Sequence, residues 1–443
     1  MTQRRLAQCL LVLSVLLVVA LAQKTEPEVE RTPTQNLREA TPEAITLDPG
    51  AATVDAFAKF EQHETIGMVL AGVVVFIAAG GGTGGGGVLN PVYIFLMQLD
   101  TKVAIPLSSI TIVGGAIANF LLNIRKSRRN SNEPLIDWDL VLVMQPMLLL
   151  GANFGTFLNS ILPSWLLCVL LVILLIFTGK KTLEKAIQAR RREHWGCCGD
   201  QDRTPLLIGA NSRYNAQQQQ QHQTFRNAVI PWRKVGYLFG LFGGVVLLSL
   251  IVGTPKFPSI IGLSPHSWIY PILAFLPVIF LMVFSHYASK NIIETFYRQQ
   301  NPRYILSADE IQWTPRSAQL FPLIAMGAGT VSGMFGLGGG MINAPLLLEL
   351  GVEPAAASAI TATTVLFSSS MSSVSYVLLG SLNFHYAQFL LPIGFLATYL
   401  GHVCLEHAIK RFNCPSLIIF SMAAIVLVSA VAMSVESIRT LLA

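Results

Sequence analysis

Two glycine-rich turns hold the residues best suited to chemistry. Gly84-Gly85-Gly86-Gly87-Val88-Leu89-Asn90-Pro91 recurs as Gly336-Leu337-Gly338-Gly339-Gly340-Met341-Ile342-Asn343-Ala344-Pro345. Consecutive glycines leave backbone N–H groups unshielded, and such amides form a concavity that holds an anion. A helix starting after the turn adds the positive end of its dipole. Asn90 and Asn343 would supply amide donors, and the hydroxyls of Ser108 and Thr361 would supply neutral ones. The candidate binding set is therefore Gly85, Gly86, Gly87, Asn90, Ser108, Gly338, Gly339, Gly340, Asn343 and Thr361. The competing reading is close helix packing, for which membrane bundles use the same small residues. Most Ser and Thr residues between 361 and 375 are expected to pack in that way.

Ionisable residues inside membrane segments are functional candidates by default. Lys102, Glu349 and His402 qualify as possible coupling or charge residues. Lys102 begins its helix, so snorkelling to the interface is the alternative. Glu349 precedes a turn and also suits an interface. His402 and Glu406 share a helix face but His407 does not, so no metalloprotease-like spacing arises. No nucleophile–base pair or four-ligand metal set emerges, so the chain reads as a non-enzyme with no cofactor and no metal. The six cysteines form no disulfide framework. Cys197-Cys198 could be palmitoylated, and zinc binding with His194 lacks ligands.

The elements that position these residues are hydrophobic. Of 443 residues, 52% are apolar and only 12% charged, with mean hydropathy +0.56. A soluble chain carries about a quarter charged residues. The net charge of +6 is therefore topology information and not a nucleic-acid footprint. Apolar runs predict helices at 65–83, 102–123, 139–161, 164–179, 235–252, 267–287, 318–335, 355–379, 386–408 and 415–435. Two shorter pieces, 88–99 and 341–351, follow the glycine turns and reach only about half to two-thirds of a ~30 Å core. The expected fold class is an all-α polytopic membrane protein of about 12 membrane segments.

The basic loops set its orientation. Counting every segment as a reversal puts Arg125–Arg129, the 180–234 stretch, 288–317 and Lys410-Arg411 inside. The loops 162–163 and 380–385, which lack Lys and Arg, fall outside. The two glycine turns then begin on opposite sides, which makes the halves inverted repeats. One constant offset pairs Gly85–Gly87 with Gly338–Gly340, Asn90 with Asn343, and Ser108 with Thr361. With a shorter offset, Pro146 and Gly155 pair with Pro392 and Gly401.

The organisation reads as follows. Residues 1–22 form a signal peptide or an uncleaved anchor. Residues 23–62 are acidic and expected to be disordered outside the cytosol. The first repeat covers 65–180, and 181–234 is a cytosolic low-complexity loop with Gln217–Gln221. Two linking helices lie in 235–287, a cytosolic loop in 288–317, and the second repeat in 318–435.

These motifs carry a resemblance. Both glycine turns, Pro91 and Pro345, Pro134-Leu135-Ile136-Asp137-Trp138-Asp139, Gln145-Pro146-Met147-Leu148 and Leu347-Leu348-Glu349-Leu350-Gly351 resemble the sulfite exporter TauE/SafE family, plant-type branch. The resemblance implies a permease for sulfite, organosulfonate or a related sulfur oxyanion, working by alternating access, with lipid and one small anion as partners. A coupling ion or proton is compatible with it. Two alternatives stay open: another anion, such as sulfate, thiosulfate or a carboxylate, and a scaffold or receptor acting through 181–234. Direction, organelle and oligomeric state are not legible.

Overall fold

Short apolar helices can stop at membrane depth only where protein covers their ends. The computed structural model describes residues 62–79, 86–126, 134–198, 231–254, 273–299, 315–349, 352, 354–412, 430–431 and 433–434, and the regular elements among them are all helices. In chain order they are α1 (Gln62–Ala78), α2 (Gly86–Phe95), α3 (Thr101–Asn123), α4 (Trp138–Ile161), α5 (Ser164–Cys198) and α6 (Trp232–Val252). Then follow α7 (Leu276–Gln299), α8 (Pro315–Phe335), α9 (Gly340–Glu349), α10 (Pro354–Leu378) and α11 (Phe384–Phe412). The signal at 1–22, nearly all of 23–62, the loop from 199 to 230 and most of the helix expected at 415–435 lie outside the described residues.

Among the described residues, six stretches are long and apolar enough to cross a membrane: Thr101–Asn123, Trp138–Ile161, Trp232–Val252, Leu276–Tyr297, Ala318–Phe335 and Phe384–Cys404. Helices α1, α2 and the apolar part of α5 are shorter. The pieces after the glycine turns are confirmed as helices of 10 residues each. Helix α10 is 25 residues long, about 37 Å at ~1.5 Å per residue, yet its Ser and Thr content keeps it out of the apolar set. It tolerates them because protein, not lipid, surrounds it: Thr361, Thr363, Thr364, Ser368, Ser369 and Ser372 are all buried.

Two boundaries differ from the hydropathy reading. Helix α5 continues past its apolar run to Cys198, because Leu183-Glu184-Lys185-Ala186 are strong helix formers. Helix α7 runs past its apolar stretch to Gln299, because the polar residues beyond His286 extend the helix without lengthening the apolar run; the start expected at 267 lies outside the described residues.

Helix α3 is central, with 89% of its apolar stretch buried, whereas α7 is peripheral at 22%. Helix α3 packs on α10 and α11, α10 also packs on α4, and α4 packs on α8. Exposed Val69, Ile173, Val283 and Leu323 face outward, as a lipid boundary requires.

Helices α4 and α8 pack backbone against backbone along four glycines. A Cβ at Gly151 or Gly155 would overlap the carbonyl of Met326 or Thr330, and one at Gly329 or Gly333 would overlap that of Leu148 or Ala152. Small residues let backbones approach where apolar burial gives no drive for association. Gly333→Ala is therefore predicted to cost about 1–3 kcal/mol of stability. A Cβ at Gly240 meets nothing within 4 Å, so Gly240→Ala should leave the melting temperature in detergent unchanged. Equal melting temperatures for both variants would refute tight packing at this contact.

Candidate functional site

The second glycine turn begins as a helix terminator. Gly336 has φ +64°, and the Leu337 amide donates back to the Ser332 carbonyl at 3.2 Å, which closes α8 in a Schellman arrangement. Gly338 and Gly339 follow with φ +69° and +72°, a region that side-chain-bearing residues rarely enter. Gly340 then starts α9, where the Asn343 amide donates to the Gly339 carbonyl at 3.0 Å. Among the described residues, no backbone hydrogen bond uses the amides of Gly338, Gly339, Gly340 or Met341. These are the unshielded donors that the sequence led us to expect.

The first turn reaches the same place. A Cβ on Gly86 would lie 2.8 Å from the Leu337 Cα and 2.6 Å from the Ile112 side chain, and one on Gly87 would overlap the Met341 side chain. Gly86 and Gly87 open α2, and Met341 is in the first turn of α9. The N-termini of the two short helices therefore abut. Gly85 lies outside the described residues.

The two asparagines take defined roles. Asn90 is fully buried and its Nδ2 donates to the Phe335 carbonyl at 2.7 Å. One of its two amide hydrogens thus ties α2 to the end of α8. Asn343 donates from Nδ2 to Thr364 Oγ1 at a long 3.5 Å. The Oδ1 atoms of both asparagines are buried without a partner.

The hydroxyls divide similarly. Ser108 Oγ donates its one hydrogen between the Ile105 carbonyl at 2.8 Å and the Gly336 carbonyl at 3.0 Å, so that donor is occupied. Thr361 Oγ1 is buried and has no partner. Ser332 and Ser368 were not singled out as site residues from sequence. A Cβ on Gly339 would sit 3.6 Å from Ser332 Oγ and 3.7 Å from Ser368 Oγ, so these two hydroxyls flank the turn. Ser332 Oγ has no partner, while Ser368 Oγ donates to the Gly338 carbonyl at 2.9 Å. The only hint in sequence was the position of Ser332, one turn before Gly336.

Of the charged candidates, His402 lies away from the turn. Lys102 is half-buried in the first turn of α3. Glu349 ends α9, and its side chain lies outside the described set. His402 is drawn to the far end of α3, where its Nε2 is 2.8 Å from Lys126 Nζ. That is more than about 20 Å along α3 from Ser108, at ~1.5 Å per residue.

The family-like motif at the start of α4 has a structural role. Asp137 caps the helix by accepting from the amides of Asp139 (3.1 Å) and Leu140 (3.2 Å). Asp139 accepts from Lys234 of α6 at 2.6 and 2.7 Å.

Comparison with known proteins agrees with this architecture. The family model described as "Sulfite exporter TauE/SafE" matches residues 66–289 and 259–433. The chain is 30% identical over 381 residues to Sulfite exporter TauE/SafE family protein 5 of Arabidopsis thaliana, covering 83% of this chain and 82% of that one. It is 31% identical over 362 residues to family protein 3 of the same plant, covering 78% and 73%. The Probable membrane transporter protein YunE of Bacillus subtilis (strain 168) is 32% identical over 115 residues, 26% of this chain and 39% of its own. No solved structure matches. The chain belongs to the sulfite exporter TauE/SafE family, a family of multi-pass membrane transporters and not of enzymes.

Proposed function

We propose that this transporter carries small sulfur-containing oxyanions, such as sulfite or an organosulfonate, and binds them where the N-termini of α2 and α9 abut. The observation that carries the reading is the set of open amides at Gly338–Met341, flanked by the unpartnered Ser332 hydroxyl and backed by a second helix start at Gly86. Amides and two dipole ends stabilise an anion in a low-dielectric site without a buried cation.

Alternating access by two inverted repeats follows from the same reading. Gly155 and Gly401 correspond in sequence. Gly155 in α4 abuts the Thr330 carbonyl of α8, and Gly401 in α11 abuts the Phe76 carbonyl of α1. Each therefore packs on the helix that leads into the other half's glycine turn. The corresponding helices α3 and α10 also pack on each other. This exchange of partners is what a pseudo-two-fold axis would produce, and it supports the repeat reading.

Two experiments test these points. For topology, 380–385 should be external, with 124–134, 180–232 and 409–413 cytosolic. Exposed Cys404 is first replaced, and single cysteines are placed at Ser127 and Gln219. Neither should react with an impermeant external thiol reagent in intact cells. Strong external labelling at either would rule out the inverted scheme.

For the site, substrate-resolved flux is measured in proteoliposomes. Gly339 has room for a Cβ but a left-handed backbone. Gly339→Val should abolish flux, whereas Gly339→Asn, which tolerates that backbone, should retain part of it. Equal flux in both variants and the native protein would remove the turn from the site. Flux of sulfate but not of sulfite or sulfonates would move the assignment to another anion.

A further inference from the structure

We infer that the site takes sulfite as its singly charged, protonated form and discriminates against fully deprotonated dianions. The inference rests on the reading of the glycine turns as an anion site.

The first observation concerns charge. The buried polar side chains among the described residues are Asn, Gln, Ser and Thr, and none is Asp, Glu, Lys, Arg or His. Each helix N-terminus is equivalent to about half a positive charge, so α2 and α9 together offset about one negative charge. A second charge has no counterpart, and an uncompensated ion in a low-dielectric interior is strongly disfavoured.

The second observation concerns hydrogen. The Asn90 group facing the Phe335 carbonyl must be its NH₂, because a carbonyl oxygen only accepts. The Asn343 case resolves in the same way. Thr364 Oγ1 donates to the Thr361 carbonyl at 2.9 Å, so its hydrogen is engaged and the neighbouring amide atom must be nitrogen. Both orientations are thus fixed, and each leaves a buried Oδ1 with no donor. These acceptors sit on the two short helices, about one turn in from the abutting ends. A dianion such as sulfate presents only acceptors and would leave both Oδ1 atoms unsatisfied, whereas the single proton of the monoanion can be donated to one of them. The open amides and the Ser332 hydroxyl would take the substrate's remaining oxygens.

The test is initial sulfite flux in proteoliposomes, below half-saturation, at pH values spanning the second ionisation of sulfite. At fixed total sulfite the rate should fall about tenfold per pH unit above that pKa, as the monoanion fraction does. Raising total sulfite to hold the monoanion constant should restore the rate, which separates substrate protonation from any titration of the protein. Sulfate should compete at least about tenfold more weakly than the sulfite monoanion. Asn343→Leu removes one acceptor and only a long hydrogen bond, and should narrow that discrimination by about tenfold. Flux that ignores pH at fixed total sulfite, flux that rises with the dianion, a rate not restored at constant monoanion, or sulfate competing equally would each overturn the inference while anion transport stands. No flux of any anion, with the protein inserted and folded, would overturn both readings.

Discussion

A helix that ends inside an apolar bundle exposes four carbonyls that no water can reach, and each must find a donor. The end of α8 meets this demand one atom at a time. The Ser332 carbonyl takes the Leu337 amide, that of Gly333 takes the Tyr376 hydroxyl, that of Met334 takes Asn159 Nδ2, and that of Phe335 takes Asn90 Nδ2. The next carbonyl, Gly336, takes Ser108 Oγ. Apart from the turn itself, these donors come from α10, α4, α2 and α3. Four elements from distant parts of the chain thus converge on one helix end, which places the short helix α2 against the second glycine turn.

The other side of that turn contrasts with it. Where α8 stops, the acceptors are bonded; where α9 starts, amide donors stay open and the Ser332 hydroxyl that flanks the turn lacks a partner. A buried unsatisfied polar group costs about 1–3 kcal/mol, and most native ones are paired. Several together beside one turn are hard to reconcile with a purely structural role. Packing explains the glycines at the α4–α8 contact, where a Cβ would strike backbone. It does not explain Gly339, which has room for a side chain and is held to glycine by its backbone angle. The two classes of glycine therefore answer different physical needs.

How much of this was legible follows from range. The helices and glycine turns are local signals, carried by apolar runs and by residues that permit positive φ, and sequence placed most of them closely. The hydroxyl-rich helix α10 was legible as a helix, and its protein-lined setting followed from its composition. Asn90 was picked out, but its bond to Phe335 spans 245 positions in the chain and left no local trace. Tyr376 and Asn159 passed unnoticed for the same reason. His402 had drawn interest because it is ionisable in an apolar segment. Its partner Lys126 lies 276 positions away, and only the packing of α11 on α3 reveals that it belongs to a different end of the bundle.

The donors at the turn also differ in kind. Asn90, Asn159 and Tyr376 each donate to one carbonyl of α8, so any separation there strands a buried acceptor. Separation at Ser108 or Ser368 would likewise strand the Gly336 or Gly338 carbonyl, but the serine proton itself keeps a partner. Ser108 reaches Ile105 on its own helix and Gly336 on the turn; Ser368 reaches Val365 at 3.3 Å on its own helix and Gly338 on the turn at 2.9 Å. A serine hydroxyl that can fall back on its own helix keeps a hydrogen bond when the turn moves away. The central helices α3 and α10 thus hold the turn through bonds that can be exchanged without leaving a serine proton unpaired, while α2, α4 and the tyrosine of α10 hold the end of α8 through bonds that cannot. Small hydroxyl residues on the central helices are the economical way to supply the second kind, because each can bond either its own helix or the turn.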